Sequence, residues 1–106
     1  MKTLTELQLE HKEWAKKNFP FTESYQTLLG LGEEVGELFH AHLKEEQNIR
    51  GESNAHQLEA KDAVGDIIIY LMHYCTLRDW AIEPILNNVW EQTVSKRDWK
   101  KNPQEG

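Results

Sequence analysis

Glu33, Glu34 and Glu37 crowd into Gly32-Glu33-Glu34-Val35-Gly36-Glu37-Leu38, inside a segment that otherwise has the pattern of a long amphipathic helix. Carboxylates three and four residues apart on a helix repel, and each glycine weakens the helix by about 1 kcal/mol. At about 100° per residue, Glu34 and Glu37 lie one turn apart on one side, in a stripe that reads Gly30, Glu34, Glu37, Ala41. The small residues above and below the acids would let another helix or a ligand come close, and glycine among the glutamates would let it reach the backbone. The plainer alternative is a wet stripe roughly opposite an apolar face.

A second acidic pair, Asp62 and Asp66, stands in Asp62-Ala63-Val64-Gly65-Asp66-Ile67-Ile68-Ile69-Tyr70-Leu71-Met72. Glu59, Ala63, Asp66, Tyr70 and His73 share its stripe. A helix apolar on nearly all sides is expected to be buried. A lone carboxylate there would lose several kcal/mol of solvation or stay protonated. Setting it beside Glu34 and Glu37 alone would make each harder to ionise. A hard divalent cation resolves that conflict, because Mg²⁺, with Mn²⁺ as a substitute, is bound by oxygen ligands. A salt bridge from Lys or Arg is the competing explanation for Asp66, although basic residues are few on the first three helical stretches.

Glu37-Leu38-Phe39-His40 also spells one copy of the ExxH fragment used by di-iron bundles, but that pattern requires two copies and there is no second. Zinc would need a Cys/His cluster that is lacking. His42 reads as a core or interface residue, and His11 and His56 as surface. Lys96-Arg97-Asp98-Trp99-Lys100-Lys101 gathers four cations at the end of an otherwise acidic chain. Cations near a helix C-terminus favour its dipole, and they are equally the usual counter-ions of polyphosphate. Trp14 and Trp99 could stack on a base or sit in the core.

Four helices are expected to carry these groups. Thr3 with Glu6 forms a capping box for the first, whose stripe is Leu4, Leu7, His11, Trp14 and which Asn18-Phe19-Pro20 ends. The second runs from Thr22 or Ser24 to about Gln47, with Leu28, Leu31, Val35, Leu38, Phe39 and His42 as its main apolar face. Residues 48–54 read as a polar loop, with Asn54 and Gln57 capping a third helix that runs to about Arg78. Pro84 suits the first turn of a fourth, ending near Arg97, and the tail from Asn102 is expected to fray. Short connections predict an all-α, compact helical bundle.

One domain over residues 1–106 is the natural reading of the length. Hydrophobic residues make up 39% of the chain, low for a self-contained globule, which points to oligomerisation. The net charge of −6 argues against a nucleic-acid polymer or an anionic membrane surface as partner. Cys75 is the only cysteine, so a reducing cytoplasm is expected. The first residues lack the apolar core of a signal peptide, and the longest apolar run, Ile67 to Met72, is too short to span a bilayer.

Taken together, these segments resemble the MazG-like all-α nucleoside triphosphate pyrophosphohydrolases, from about Trp14 to Pro103. The family signature is an ExxE helix, a spacer and an ExxD helix. Glu34-Val35-Gly36-Glu37 matches the first half, and Asp66-Ile67-Ile68-Ile69-Tyr70-Leu71 is similar to the aspartate of the second and its apolar continuation. Lys96-Arg97-Asp98-Trp99 with Asn102-Pro103 is similar to the end of one small branch. The sequence departs from the signature at Ala63, where the ExxD glutamate would fall, and Asp62 stands next to it.

The resemblance implies hydrolysis of a nucleoside triphosphate to the monophosphate and pyrophosphate. Glu34, Glu37 and Asp66, with Asp62, would hold Mg²⁺ ions that bridge the phosphate oxygens and acidify the attacking water. Glu33 would be a general base or a partner of the metal ligands. Lys96, Arg97 and Lys100 would offset the charge of the leaving pyrophosphate, Trp14 would face the base and Tyr70 would line the phosphate side. It also implies homodimers or homotetramers with sites built at subunit contacts. The alternative is a helical module that binds a nucleotide or a protein with little or no turnover, as Ala63 suggests. A di-iron bundle, which would hold coloured iron, is a third.

Overall fold

Thr3 opens the first helix as the sequence predicts: its hydroxyl accepts from the Glu6 N–H at 3.1 Å, and its own N–H donates to Glu6 Oε1 at 3.0 Å. The computed structural model describes residues 1–98 and 100. Its helices are α1 (Leu4–Asn18), α2 (Ser24–Gln47), α3 (Ser53–Leu77) and α4 (Ile82–Gln92), followed by a short 3₁₀ turn, Val94–Lys96. There is no strand among the described residues, and no helix among them is long and apolar enough to cross a membrane. The all-α class therefore holds. The fourth helix stops at Gln92 and not near Arg97, and Glu52 takes the N-cap position of α3 in place of Asn54. Trp99, Lys101 and the tail from Asn102 lie outside the described residues.

α2 and α3 form an antiparallel pair. Asn48 closes α2 in the left-handed region (φ 53°), which an asparagine tolerates better than most residues. Thr27 and Ala41 of α2 and His56 and Ala63 of α3 are almost wholly buried. Small residues on α2 thus admit another helix, one of the two outcomes their spacing allowed. Gly30 is a point of close approach, because a Cβ there would run into the Tyr70 ring. Gly32 and Gly36 differ: a Cβ at either meets nothing, so within the protomer they face open space and not the α2–α3 seam.

His56 corrects its expected surface position. It is 2% exposed, and its Nε2–H donates to the Ile49 carbonyl at 2.8 Å. His42 is the reverse: its side chain lies in the open beside Glu46 at 3.1 Å. The main apolar face of α2 is only partly covered by the rest of the chain: Leu31, Val35 and Leu38 are half-buried, whereas Leu28 and Phe39 are exposed. The centre of α3 is also less enclosed than its composition predicts. Val64, Ile68, Ile69 and Leu71 are exposed, and so is Asp66.

α1 crosses α3 through Gln8, a buried clamp. Its Nε2 donates to Thr76 Oγ1 at 3.1 Å and to the Trp80 carbonyl at 2.8 Å, and its Oε1 accepts from the Ile82 N–H at 2.9 Å. α4 rests on the start of α1, where Glu83 accepts from the Thr5 N–H at 2.8 Å and hydroxyl at 2.7 Å. Gln8→Leu leaves the Trp80 carbonyl and the Ile82 N–H without partners, so it is expected to cost about 2–3 kcal/mol. Chemical denaturation checks that value, and hydrogen exchange should show residues 80–92 opening first.

Candidate functional site

Glu33, Glu34 and Glu37 from α2 and Glu59, Asp62 and Asp66 from α3 line one open pocket of about 290 Å³, with Ala63 at its floor. The fold thus brings together every acidic residue that the sequence nominated. The antiparallel pairing does this: one flank of each helix carries its acids, and pairing sets the flanks side by side. Among the described residues, none of Glu33, Glu34, Glu37, Asp62 and Asp66 has a Lys or Arg within ion-pair distance. The salt-bridge explanation of Asp66 therefore fails within these residues. Glu59 is the exception in the pocket. It is held by Lys44 Nζ at 2.7 Å, with His56 Nδ1 at 3.3 Å, which draws its carboxyl below the ordinary range.

Glu34 carries the electrostatic cost. Partial burial between the helices pushes its carboxyl above the ordinary 4.5, and the charges of Asp66, Glu33 and Glu37 push it further. An acid raised in this way lowers stability fully above its folded pKa, and the penalty is relieved as pH falls toward 4.5. A bound cation must displace the same proton. Cation affinity is therefore expected to weaken as pH falls through the range just above 4.5, and to do so less in Glu34→Gln. Calorimetric titration at several pH values measures this.

All the donors are carboxylate oxygens, the set a hard cation prefers. Among the described residues no three His, Cys, Asp or Glu side chains converge closely enough to hold an ion. The acids ring the pocket without meeting at a point. Exposed side chains such as Glu33, Glu37, Asp62 and Asp66 can change rotamer at small cost, so the donor chemistry fits a divalent cation and the convergence would come with it. Ala63 is 3% exposed and packed in the α2–α3 seam, so its side chain serves as a helix contact.

Glu34 and Asp66 also line a second cavity of about 350 Å³. Its walls are Trp14, Phe19 and Tyr70, with His11 and His73. Trp14 and Tyr70 thus meet in one cleft that opens onto the acids. His11 packs between Trp14, at 5.6 Å between ring centroids, and His73, at 4.9 Å. Burial holds both imidazoles below the ordinary 6.5, so they are neutral at pH 7. These two histidines were not nominated from the sequence. Each lies on a stripe that was, His11 with Trp14 and His73 with Asp66 and Tyr70, and the α1–α3 crossing joins them. The half-buried His11 corrects its expected surface position.

Lys96, Arg97 and Lys100 line neither cavity. Lys96 belongs to the 3₁₀ turn beyond α4, where its Nζ donates to Gln92 Oε1 at 3.4 Å. Comparison of the chain with protein-family models, with curated proteins and with solved structures found no match.

Proposed function

We propose that this chain is a Mg²⁺-dependent nucleoside triphosphate pyrophosphohydrolase that cleaves the α–β phosphoanhydride bond with water, giving the monophosphate and pyrophosphate, and so clears the nucleotide pool. The observation that carries this reading is the continuity of two cavities of opposite character through Glu34 and Asp66. An aromatic cleft of this kind takes a flat base, and a carboxylate pocket takes a cation with its phosphates. The MazG-like order of the acidic segments points the same way.

Trp14 and Tyr70 would hold the nucleoside. Glu34, Glu37, Asp66 and Asp62 would hold Mg²⁺ or Mn²⁺. The metal, when bound, supplies positive charge to the phosphate oxygens and acidifies water. Glu33, exposed at the rim, would take the proton of the attacking water. Lys96, Arg97 and Lys100 fit the leaving pyrophosphate only if the C-terminal segment moves or a neighbouring protomer supplies them. A homodimer or homotetramer in the cytoplasm completes the proposal, and the buried free thiol of Cys75 suits a reducing location.

Ala63, buried where the signature has glutamate, favours a second reading in which the fold binds a nucleotide with little or no turnover. Pyrophosphate release from a panel of nucleoside triphosphates, with and without Mg²⁺, separates the two. Metal-dependent release from at least one nucleotide supports the enzyme. Nucleotide binding without release supports the module.

A further inference from the structure

Among the described residues, His73 is the buried polar side chain of the aromatic cleft that the chain itself leaves without a hydrogen bond. It is 8% exposed and lines the cleft, and neither of its ring nitrogens has a partner among those residues. Its polar neighbours are engaged elsewhere. The Thr27 hydroxyl donates to the Ser24 carbonyl at 2.6 Å, and the Thr22 hydroxyl donates to the Phe19 carbonyl at 3.1 Å. Gln26 Oε1 accepts from the Glu23 N–H at 2.8 Å. The His11 ring meets His73 at 64° and 4.9 Å between centroids, with no hydrogen bond between them. His11 Nδ1 also lacks a partner, but it is sealed in, so a ligand reaches it only if the ring moves.

An imidazole buried in this way costs stability unless something in the cleft bonds it. Burial keeps the His73 ring neutral at pH 7, so it offers one donor and one acceptor in one plane. Its place on α3 says which part of a ligand it meets. Asp66, Tyr70 and His73 share a stripe, and all three line the cleft. At 1.5 Å per residue, Tyr70 stands about 6 Å and His73 about 10 Å along α3 from Asp66. A nucleotide whose α-phosphate sits at a cation beside Asp66 covers the first interval with its sugar and brings the edge of its base to His73.

We infer that His73 is the specificity-determining residue of this cleft: it hydrogen-bonds the polar edge of the nucleobase, so that nucleotides are chosen by base and not by sugar. The inference rests on the nucleotide reading of the cleft and adds a rule of selection to it.

Calorimetric binding of α,β-methylene nucleoside triphosphates with Mg²⁺ is the test, since these ligands resist cleavage at the proposed bond. The panel carries adenine, guanine, cytosine and uracil, each on ribose and on deoxyribose. The wild type should separate its best and worst bases by at least about tenfold, the worth of one hydrogen bond, and the two sugars by less. His73→Phe keeps the aromatic packing and should lower that base ratio by about the same factor. Its affinity for Mg²⁺-tripolyphosphate, which has no base, should match the wild type. His73→Gln, which keeps a donor and an acceptor, should retain part of the ratio. Nitrogen-15 spectra of the wild-type histidine rings cover the case in which these variants do not fold. With signals assigned from substitutions at the other four histidines, the His73 nitrogens should shift with the preferred nucleotide and stay in place with tripolyphosphate. Nucleotide binding that leaves the His73 nitrogens unshifted, or a base ratio unchanged by His73→Phe, overturns the inference and leaves the pyrophosphohydrolase reading standing. So does selection by sugar alone, or an equal loss on every ligand in a folded His73→Phe, tripolyphosphate included. No binding of any nucleotide removes both.

Discussion

Asp66→Asn and Glu37→Gln are each expected to lower Mg²⁺-dependent pyrophosphate release by about a hundredfold or more while leaving the protein folded. Both side chains are exposed and, among the described residues, neither makes a hydrogen bond or ion pair. The substitutions keep size and remove charge, so a loss of rate belongs to the chemistry. Glu59→Gln supplies the contrast in the same pocket. It weakens the Lys44 and His56 contacts, so it should lower stability more than it lowers the rate per folded molecule. Rates measured beside denaturation midpoints for the three variants separate the two kinds of acid. Equal rates in wild type and Glu37→Gln remove the enzyme reading.

Gly30→Ala has the second large expected effect, and its sign is informative. On an open helix surface the change would stabilise by about 1 kcal/mol. Here the new Cβ would lie 2.5 Å from Tyr70 Cζ and nearer still to Cε1, so the ring must leave its place. Overpacking of this kind costs about 1–3 kcal/mol, enough to cancel the propensity gain and leave a net loss. The displaced ring also narrows the aromatic cleft, so KM should rise. In a Tyr70→Ala background the penalty should vanish and Gly30→Ala should become neutral or stabilising. Urea denaturation of the four proteins measures the coupling. A stabilising effect of Gly30→Ala alone would contradict the close approach of α2 and α3.

The helices were legible because their ends are written locally. Thr3 with Glu6, Pro20 and the polar residues after Gln47 act over a turn or two, and the described boundaries follow them closely. The two acidic segments were legible for the same reason, since charge at helical spacing on two long helices leaves few ways to arrange them.

Tertiary features were not legible in this way. His56 read as a surface residue, yet the Ile49 carbonyl at the α2–α3 turn gives it a buried partner. His11 and His73 stand 62 positions apart, and only the crossing of α1 over α3 makes them neighbours. The apolar centre of α3 predicted burial, because composition records that a surface must be covered and not whether the same chain covers it. Asp66 is exposed in the protomer for that reason. Ala63 read as a lost ligand, and the structure gives it a packing role in the seam.

The central claim is that the acids of α2 and α3 share a divalent cation. Thermal unfolding of the purified chain with increasing Mg²⁺ or Mn²⁺ and no nucleotide tests it most directly. At a hundredfold excess over Kd, binding to the folded state adds about 2.7 kcal/mol, a rise in Tm on the order of 10 °C for a domain of this size. That rise should be present in the wild type and absent from a Glu34→Gln, Asp66→Asn double variant, whose metal-free Tm should equal or exceed the wild-type value because repulsion has been removed. A wild-type Tm that ignores both cations across the millimolar range, with no heat of binding, would contradict the account.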